Sequence, residues 1–245
     1  MQRDVKLTAK DVALTVCFTA LYTYFCFIPA FPIVGLPNEA ITLAAITAPI
    51  IGMILGSYLG MLSALLGGMI GLFFAAPFSP PSFISGIVTT AFAGMLHTNK
   101  RNVFSLTYFL LLLLFGFYPV GPVWLYPLFM WFQILGFLIL ISPLQSMALK
   151  NMRDSHNDSK LSFTLATISF TSTLAGQIAG SLTFELVYWP TLIPNVKTWA
   201  LNWQLLTWLY PIERTIIALI ATFIGVILYK VLASANLMPF SGRTK

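Results

Sequence analysis

Four polar residues recur at one helical interval in the segment TSTLAGQIAGSLTFELVYW: Thr173, Gln177, Ser181 and Glu185. A spacing of i, i+4, i+8 and i+12 puts them on one face of an α-helix. Beside them run Ser172, Gly176 and Gly180, a stripe small enough to let another helix approach closely. Two hydroxyls, an amide and a carboxylate in one row supply hydrogen-bond donors and acceptors. The row reads either as interhelical hydrogen-bonding glue or as one wall of a solute site. A charge at the centre of an apolar helix costs roughly 2.5–3.5 kcal/mol on insertion scales, so the row is expected to face a bundle interior.

The remaining charges that lie in apolar surroundings gather near the same end. Glu39 stands in GLPNEAITLAA beside Asn38, Lys197 stands in a Trp-rich stretch, and Glu213 and Arg214 adjoin in TWLYPIERTIIALIATFIGVILYK. Four of the six tryptophans, Trp189, Trp199, Trp203 and Trp208, fall between residues 189 and 210. Pro190 and Pro194 break the chain there, and residues 196–209 read as a short interfacial helix. That outer loop is either an aromatic belt at the headgroup level or an aromatic lid over a flat ligand. Pro211 suits the first turn of a further helix. Glu213 would then favour the helix dipole and Arg214 oppose it. Consecutive helical residues point about 100° apart, so the pair cannot share a direction, and a Glu185–Arg214 ion pair across adjacent helices is expected.

The elements that must position these groups follow from composition. Of 245 residues, 58% are hydrophobic and only 8% charged, against roughly 45–50% and about 25% in soluble domains. That balance predicts a polytopic transmembrane helix bundle, all-α, one domain over residues 1–245. Long apolar runs such as FSLTYFLLLLLFGFYPV exclude the alternating pattern of a barrel. Apolar segments cover roughly 11–30, 39–56, 57–76, 82–97, 104–120, 125–148, 162–188 and 211–233, which predicts eight helices. A break near Gly56–Ser57 is required, because residues 39–76 as one helix would extend about 57 Å, too long for a bilayer. Gly52, Gly56, Gly60, Ala64 and Gly68 recur every fourth residue there, a pattern for close helix packing.

Eleven of the thirteen basic residues lie before the first segment, in the 98–101 and 150–160 loops or toward the C-terminus; only Lys197 and Arg214 do not. By the positive-inside rule both termini are cytoplasmic, and the chain is a multi-pass protein of the cell membrane. The net charge of +6 is a topology signal rather than a nucleic-acid signal. The N-terminal run lacks an A-x-A-like cleavage site and is read as the first helix, not a signal peptide. Cys17 and Cys26, nine residues apart on that helix, are too far apart to bridge. No G-x-x-x-x-G-K-[ST] loop, H-E-x-x-H pair or paired-Cys metal site occurs, so no metal or cofactor is expected. His97 and His156 fall in cytoplasmic loops while the carboxylates fall outside, which leaves no catalytic set at one depth and argues against an enzyme. A pocket open to the outside with no proton relay at mid-depth remains.

Four stretches resemble the substrate-binding S components of energy-coupling-factor (ECF) vitamin transporters. LTAKDVALTVCFTALYTYF is similar to their first helix, with Ala9, Ala13 and Cys17 at i, i+4 and i+8. PNEAITLAAITAPIIGMILGSYLGMLSALLGGMIGLFF is similar to their Gly-rich second and third helices. SGIVTTAFAGMLHTNKR resembles a helix that ends in a small-residue turn and basic loop, and YPIERTIIALIATFIGVILYKVL their last helix. The resemblance implies a six-helix core, with 104–148 an extra helical hairpin. It implies a protein without its own ATPase, docked on a transmembrane T subunit that carries two ATPase subunits. An A-x-x-x-A motif contacts that subunit in the family; Ala9–Ala13 fits its letter, and Ala13–Cys17 substitutes Cys for Ala.

These readings combine into one expectation: a membrane-embedded subunit that captures a small vitamin or precursor from outside, for ATP-driven uptake by partners. Trp199, Trp203 and Trp208 would cover the solute, Gln177, Ser181 and Glu185 would hydrogen-bond it, and Asn38, Glu39 and Arg214 would stand at the rim. Three carboxylates against one Arg lean toward a cationic or donor-rich solute. The alternative is a stand-alone secondary transporter or channel for a small solute. It would need polar groups lining an exit on the cytoplasmic half, where the sequence places none.

Overall fold

The computed structural model describes residues 8–75, 77–97, 101–151, 158–189, 195–235 and 237–238. The expected basic tails, most of the 150–160 loop, and Pro190 and Pro194 lie outside these residues. The chain is mostly helical: α1 (Ala9–Cys26), α2 (Ala44–Phe74), α3 (Pro80–His97), α4 (Arg101–Phe117), α5 (Pro122–Leu125), a 3-10 turn (Pro127–Met130), α6 (Trp131–Ile141), α7 (Pro143–Asn151), α8 (Asp158–Tyr188) and α9 (Val196–Ser234). By length and composition, two of them could cross a membrane: the 197–234 stretch of α9, and α2 when its two arms on either side of Gly56 are taken together. Large apolar side chains cover the exterior, among them Leu62, Leu66, Phe73 and Phe74 of α2, Leu106, Leu110 and Leu114 of α4, and Leu219, Phe223 and Val231 of α9.

Helix α1 starts at a capping box, in which the Thr8 hydroxyl accepts from the Asp11 amide and the Asp11 carboxylate accepts from the Thr8 amide. This satisfies two of the donors a helix start leaves free. The first correction comes next. Residues 29–42, read as the end of one helix at 30, a connection and the start of the next at 39, form a hairpin of β1 (Pro29–Ile33) and β2 (Leu36–Thr42). Pro29, Pro32 and Pro37 remove donors that a helix would need, and Gly35 turns the chain at φ 92°, a conformation open to glycine. Glu39 is therefore on a strand, not at a helix entry.

The break expected near Gly56 is present and sharp. Gly56 has φ 77° and ψ −177°, a region reached almost only by glycine. Eight residues along a straight helix span about 12 Å, yet a Cβ on Gly60 would lie 3.2 Å from the Gly52 Cα. The two arms of α2 therefore fold back on each other. The repeating small residues serve this and the packing of α3: a Cβ on Gly52 would lie 2.2 Å from the Thr90 carbonyl oxygen, and one on Gly94 2.2 Å from the Ser57 nitrogen. The first arm is buried on all sides from Ile46 to Leu55, as a uniformly apolar helix must be.

Residues 104–148 depart from a simple pair of helices. Between α4 and α7 the chain passes through a four-residue helix and a 3-10 turn, each opened by a proline, Pro122 and Pro127. It breaks again at Ser142, which is extended (φ −71°, ψ 165°) because Pro143 disfavours helix at the residue before it. Arg101 secures this region: its guanidinium donates to the carbonyls of Leu140, Ile141 and Ser142 and to the Ser146 hydroxyl. A cation on the last carbonyls of α6 also suits the helix dipole.

The second long helix gives another correction. Instead of an interfacial helix followed by a separate membrane helix, α9 runs unbroken through Pro211. Pro211 has no N–H for the Thr207 carbonyl. The Trp131 indole N–H donates to that carbonyl at 3.2 Å, so the helix continues at the position expected to begin it.

Candidate functional site

Helix α8 is the axis of the molecule, buried almost throughout from Thr164 to Gly180. One apolar core unites α3, α4, α6, α8 and the first turns of α9, including Trp199 and Trp203. A second unites α1, β2, α2 and Ile217 and Ala221 of α9. Gly176 and Gly180 seat α3 on α8: a Cβ on Gly176 would lie 1.9 Å from the Thr89 hydroxyl oxygen, and one on Gly180 3.1 Å from the Ser85 Cβ. The small stripe is thus spent on helix contact. The polar row beside it is turned toward open space.

That space is a cavity open at its mouth, with about 720 Å³ of empty space when the adjoining open solvent is counted. Its walls come from α1, the hairpin, α2, α3, α8 and α9: Tyr22 of α1, Ile33 and Thr42 of the hairpin, Ala45 of α2, Phe78 before α3 and Ser82, Ser85 and Thr89 on it, Thr173, Gln177, Ser181 and Phe184 of α8, and Tyr210 and Arg214 of α9. Buried polar atoms in proteins are nearly always hydrogen-bonded. Here the Thr42 and Thr173 hydroxyls, both side-chain amide atoms of Gln177 and Nε of Arg214 are buried without a partner. They are five of eleven such atoms among the described residues, and all belong to residues on this one lining.

Arg214 is 7% exposed. Its guanidinium lies 5.4 Å from the Tyr210 ring centroid, a cation–π contact, and Tyr210 and Ser181 share the same lining. The expected Glu185–Arg214 ion pair is not formed. Glu185 instead accepts a hydrogen bond from the Val120 amide at 3.4 Å, because the connection after α4 folds over the end of α8. Its other oxygen is buried and unpartnered.

Glu185 lines a second, smaller cavity of about 380 Å³ with Trp199, Asn202, Trp203, Phe115 and Phe129. Ser181, Phe184 and Tyr210 line both cavities and form the partition between them. The polar row is therefore shared out: Thr173, Gln177 and Ser181 face the larger space, Ser181 and Glu185 the smaller.

The structure brings together Gln177, Ser181 and Arg214, and separately Glu185, Trp199 and Trp203. It leaves three candidates outside. Asn38 is exposed on the hairpin. Glu39 accepts from the Tyr188 hydroxyl at 2.9 and 3.1 Å. Trp208 is 65% exposed and meets Trp131 with ring centroids 6.2 Å apart. None of Glu39, Glu185 and Glu213 is on the larger lining, so the carboxylate excess behind the lean toward a cation is absent there. The sequence reading missed Ser82, Ser85 and Thr89, although their spacing of three and four residues in PPSFISGIVTTAF is a helical polar stripe. Thr42, Tyr22 and Tyr210 carried no such signal.

Ala9, Ala13 and Cys17 are exposed together on the outer face of α1. Compared with family models, characterised proteins and solved structures, the chain matches none.

Proposed function

We propose that this chain is a multi-pass, membrane-embedded solute-binding subunit of an ECF-type importer, capturing a small vitamin or vitamin precursor for uptake driven by partner ATPase subunits. The observation that carries the reading is the cluster of unpartnered polar atoms on one cavity, enclosed by apolar helices and covered by the β-hairpin. Leaving such groups unbonded costs roughly 1–3 kcal/mol each, a cost that a bound solute with matching donors and acceptors offsets. An apolar exterior suits a bilayer, and basic residues on one side of the segments support cytoplasmic termini. The quoted resemblance supports the partner set, a T subunit and two ATPases. The exposed small residues Ala9, Ala13 and Cys17 leave the outer face of α1 open to close approach by a partner helix.

The test is native mass spectrometry of the full chain purified gently from its own membranes, beside Gln177→Leu. Wild type is expected to retain a small molecule or to co-purify with a transmembrane partner and ATPases. Gln177→Leu is expected to lose the small molecule while remaining folded. A solute retained equally by both proteins would remove the site from this cavity, and uptake by the chain reconstituted alone would replace the importer reading with a stand-alone transporter.

A further inference from the structure

The larger cavity has a charge character that the sequence did not suggest, and it restricts what the cavity can hold. Arg214 is the one charged residue on its lining. An arginine guanidinium is a planar, delocalised cation. Removing a charge from water is costly, and among the described residues no carboxylate forms a salt bridge with Arg214: Glu39 accepts from Tyr188, Glu185 accepts from the Val120 amide, and Asp158 pairs with Lys230. Glu213, its neighbour in the chain, is also buried and attracts it electrostatically, but makes no salt bridge to it and is not on the lining, which leaves Arg214 as the charge that faces the cavity. The same lining offers neutral donors, the Gln177 amide and the Thr42 and Thr173 hydroxyls, all unpartnered. Tyr22, Phe78 and Phe184 add aromatic surface to the lining.

Resting on the reading of this cavity as the solute site, we infer that the solute is a small acid with a single anionic group, bound by Arg214, and an apolar or aromatic body. A planar guanidinium can grip a carboxylate with two parallel hydrogen bonds, the strongest neutral-pH recognition available to a side chain. One cation on the lining matches one negative charge. Gln177 and the threonine hydroxyls are the donors available to the remaining lone pairs. Arg214 is thereby the residue that selects solutes by charge, in place of the carboxylates.

The experiment is a thermal-shift and equilibrium-binding series on the full chain in lipid nanodiscs. The probes are two matched acid–amide pairs, benzoate with benzamide and nicotinate with nicotinamide, and phenyl phosphate as a dianion. The proteins are wild type, Arg214→Gln, Arg214→Lys and Gln177→Leu. At least one acid is expected to stabilise wild type and to bind tenfold or more tighter than its amide and than phenyl phosphate. Arg214→Lys should keep part of that preference, because the charge remains and the fork is lost. Arg214→Gln should lose it, and melting temperatures without probe show whether each variant is folded. Equal binding of acids and amides, unaffected by Arg214→Gln but weakened by Gln177→Leu, overturns the anion and leaves the cavity as the solute site. Tighter binding of phenyl phosphate than of benzoate overturns the single charge. A wild-type chain that responds to none of the five probes counts against both the acid and the cavity.

Discussion

The indole N–H of Trp131 donates to the carbonyl of Thr207 at 3.2 Å, the carbonyl that Pro211 leaves without a helical donor. One side chain from the 3-10/α6 junction thus allows α9 to pass through a proline. A buried carbonyl left unpaired costs roughly 1–3 kcal/mol. Trp131→Phe is expected to destabilise the chain by about that much, read as a lowered melting temperature in detergent. Pro211→Ala restores the N–H, so the loss on Trp131→Phe should shrink in that background. Strictly additive effects of the two changes would show that the indole does not serve the proline.

The hairpin over the larger cavity is tied down by Tyr188, whose hydroxyl reaches both Glu39 oxygens. A hydrogen bond to a charged partner contributes about 1.5–3 kcal/mol. Tyr188→Phe is expected to leave the bundle folded while amide hydrogen exchange rises in residues 36–42. Unchanged exchange there would mean that the backbone bond from the Ala40 amide to the Pro77 carbonyl, at 2.8 Å, holds the hairpin alone.

Gly56 is the fold-back point of α2, and its backbone conformation excludes a Cβ at a cost of about 1–3 kcal/mol. Gly56→Ala is expected to lower the melting temperature clearly. Gly225→Ala in α9 is the control, since a Cβ there meets nothing closer than 3.7 Å and a helical alanine is favoured by about 0.5–1 kcal/mol. Equal effects at the two positions would refute a strained turn.

Two tryptophans a little over a turn apart should behave differently. Trp203 is 3% exposed and stacks on Phe129 with centroids 6.0 Å apart. Trp203→Ala opens a cavity in the core and is expected to cost about 3–5 kcal/mol. Trp208 is on the outside, and Trp208→Ala should change stability by about 0.5 kcal/mol or less. Solute affinity should survive Trp208→Ala. A loss of affinity in that variant with unchanged stability would return Trp208 to the site.

The helical character, the break at Gly56 and the polar row of α8 were legible because each rests on a local pattern: long apolar runs, a length too great for one crossing, and a four-residue interval. The interior orientation of Gln177 was legible for the same reason. What was not legible depends on distant partners. The hairpin at 29–42 needed its register, and apolar residues around the prolines read as helix ends. Continuation through Pro211 depends on Trp131, 76 positions away in contact with Thr207. The Glu185–Arg214 pair failed because the two side chains line different cavities, parted by Ser181, Phe184 and Tyr210. Charge counted along the sequence therefore misjudged the charge of the cavity.

Because α9 is continuous over 39 residues, it extends about 58 Å, nearly twice a hydrocarbon core of about 30 Å. Trp199 and Trp203 on one cavity, Arg214 on the other, and Lys230 in its bond to Asp158 at 2.7 Å are fixed to a single rod. Tilting a rod of that length by about 10° swings its end by about 10 Å. The molecule therefore has built-in leverage: a small rotation at the cavities is a large excursion at the far end. The phase of the rod matters as much as its length, since one residue inserted between Arg214 and Lys230 would turn the two ends by about 100° against each other.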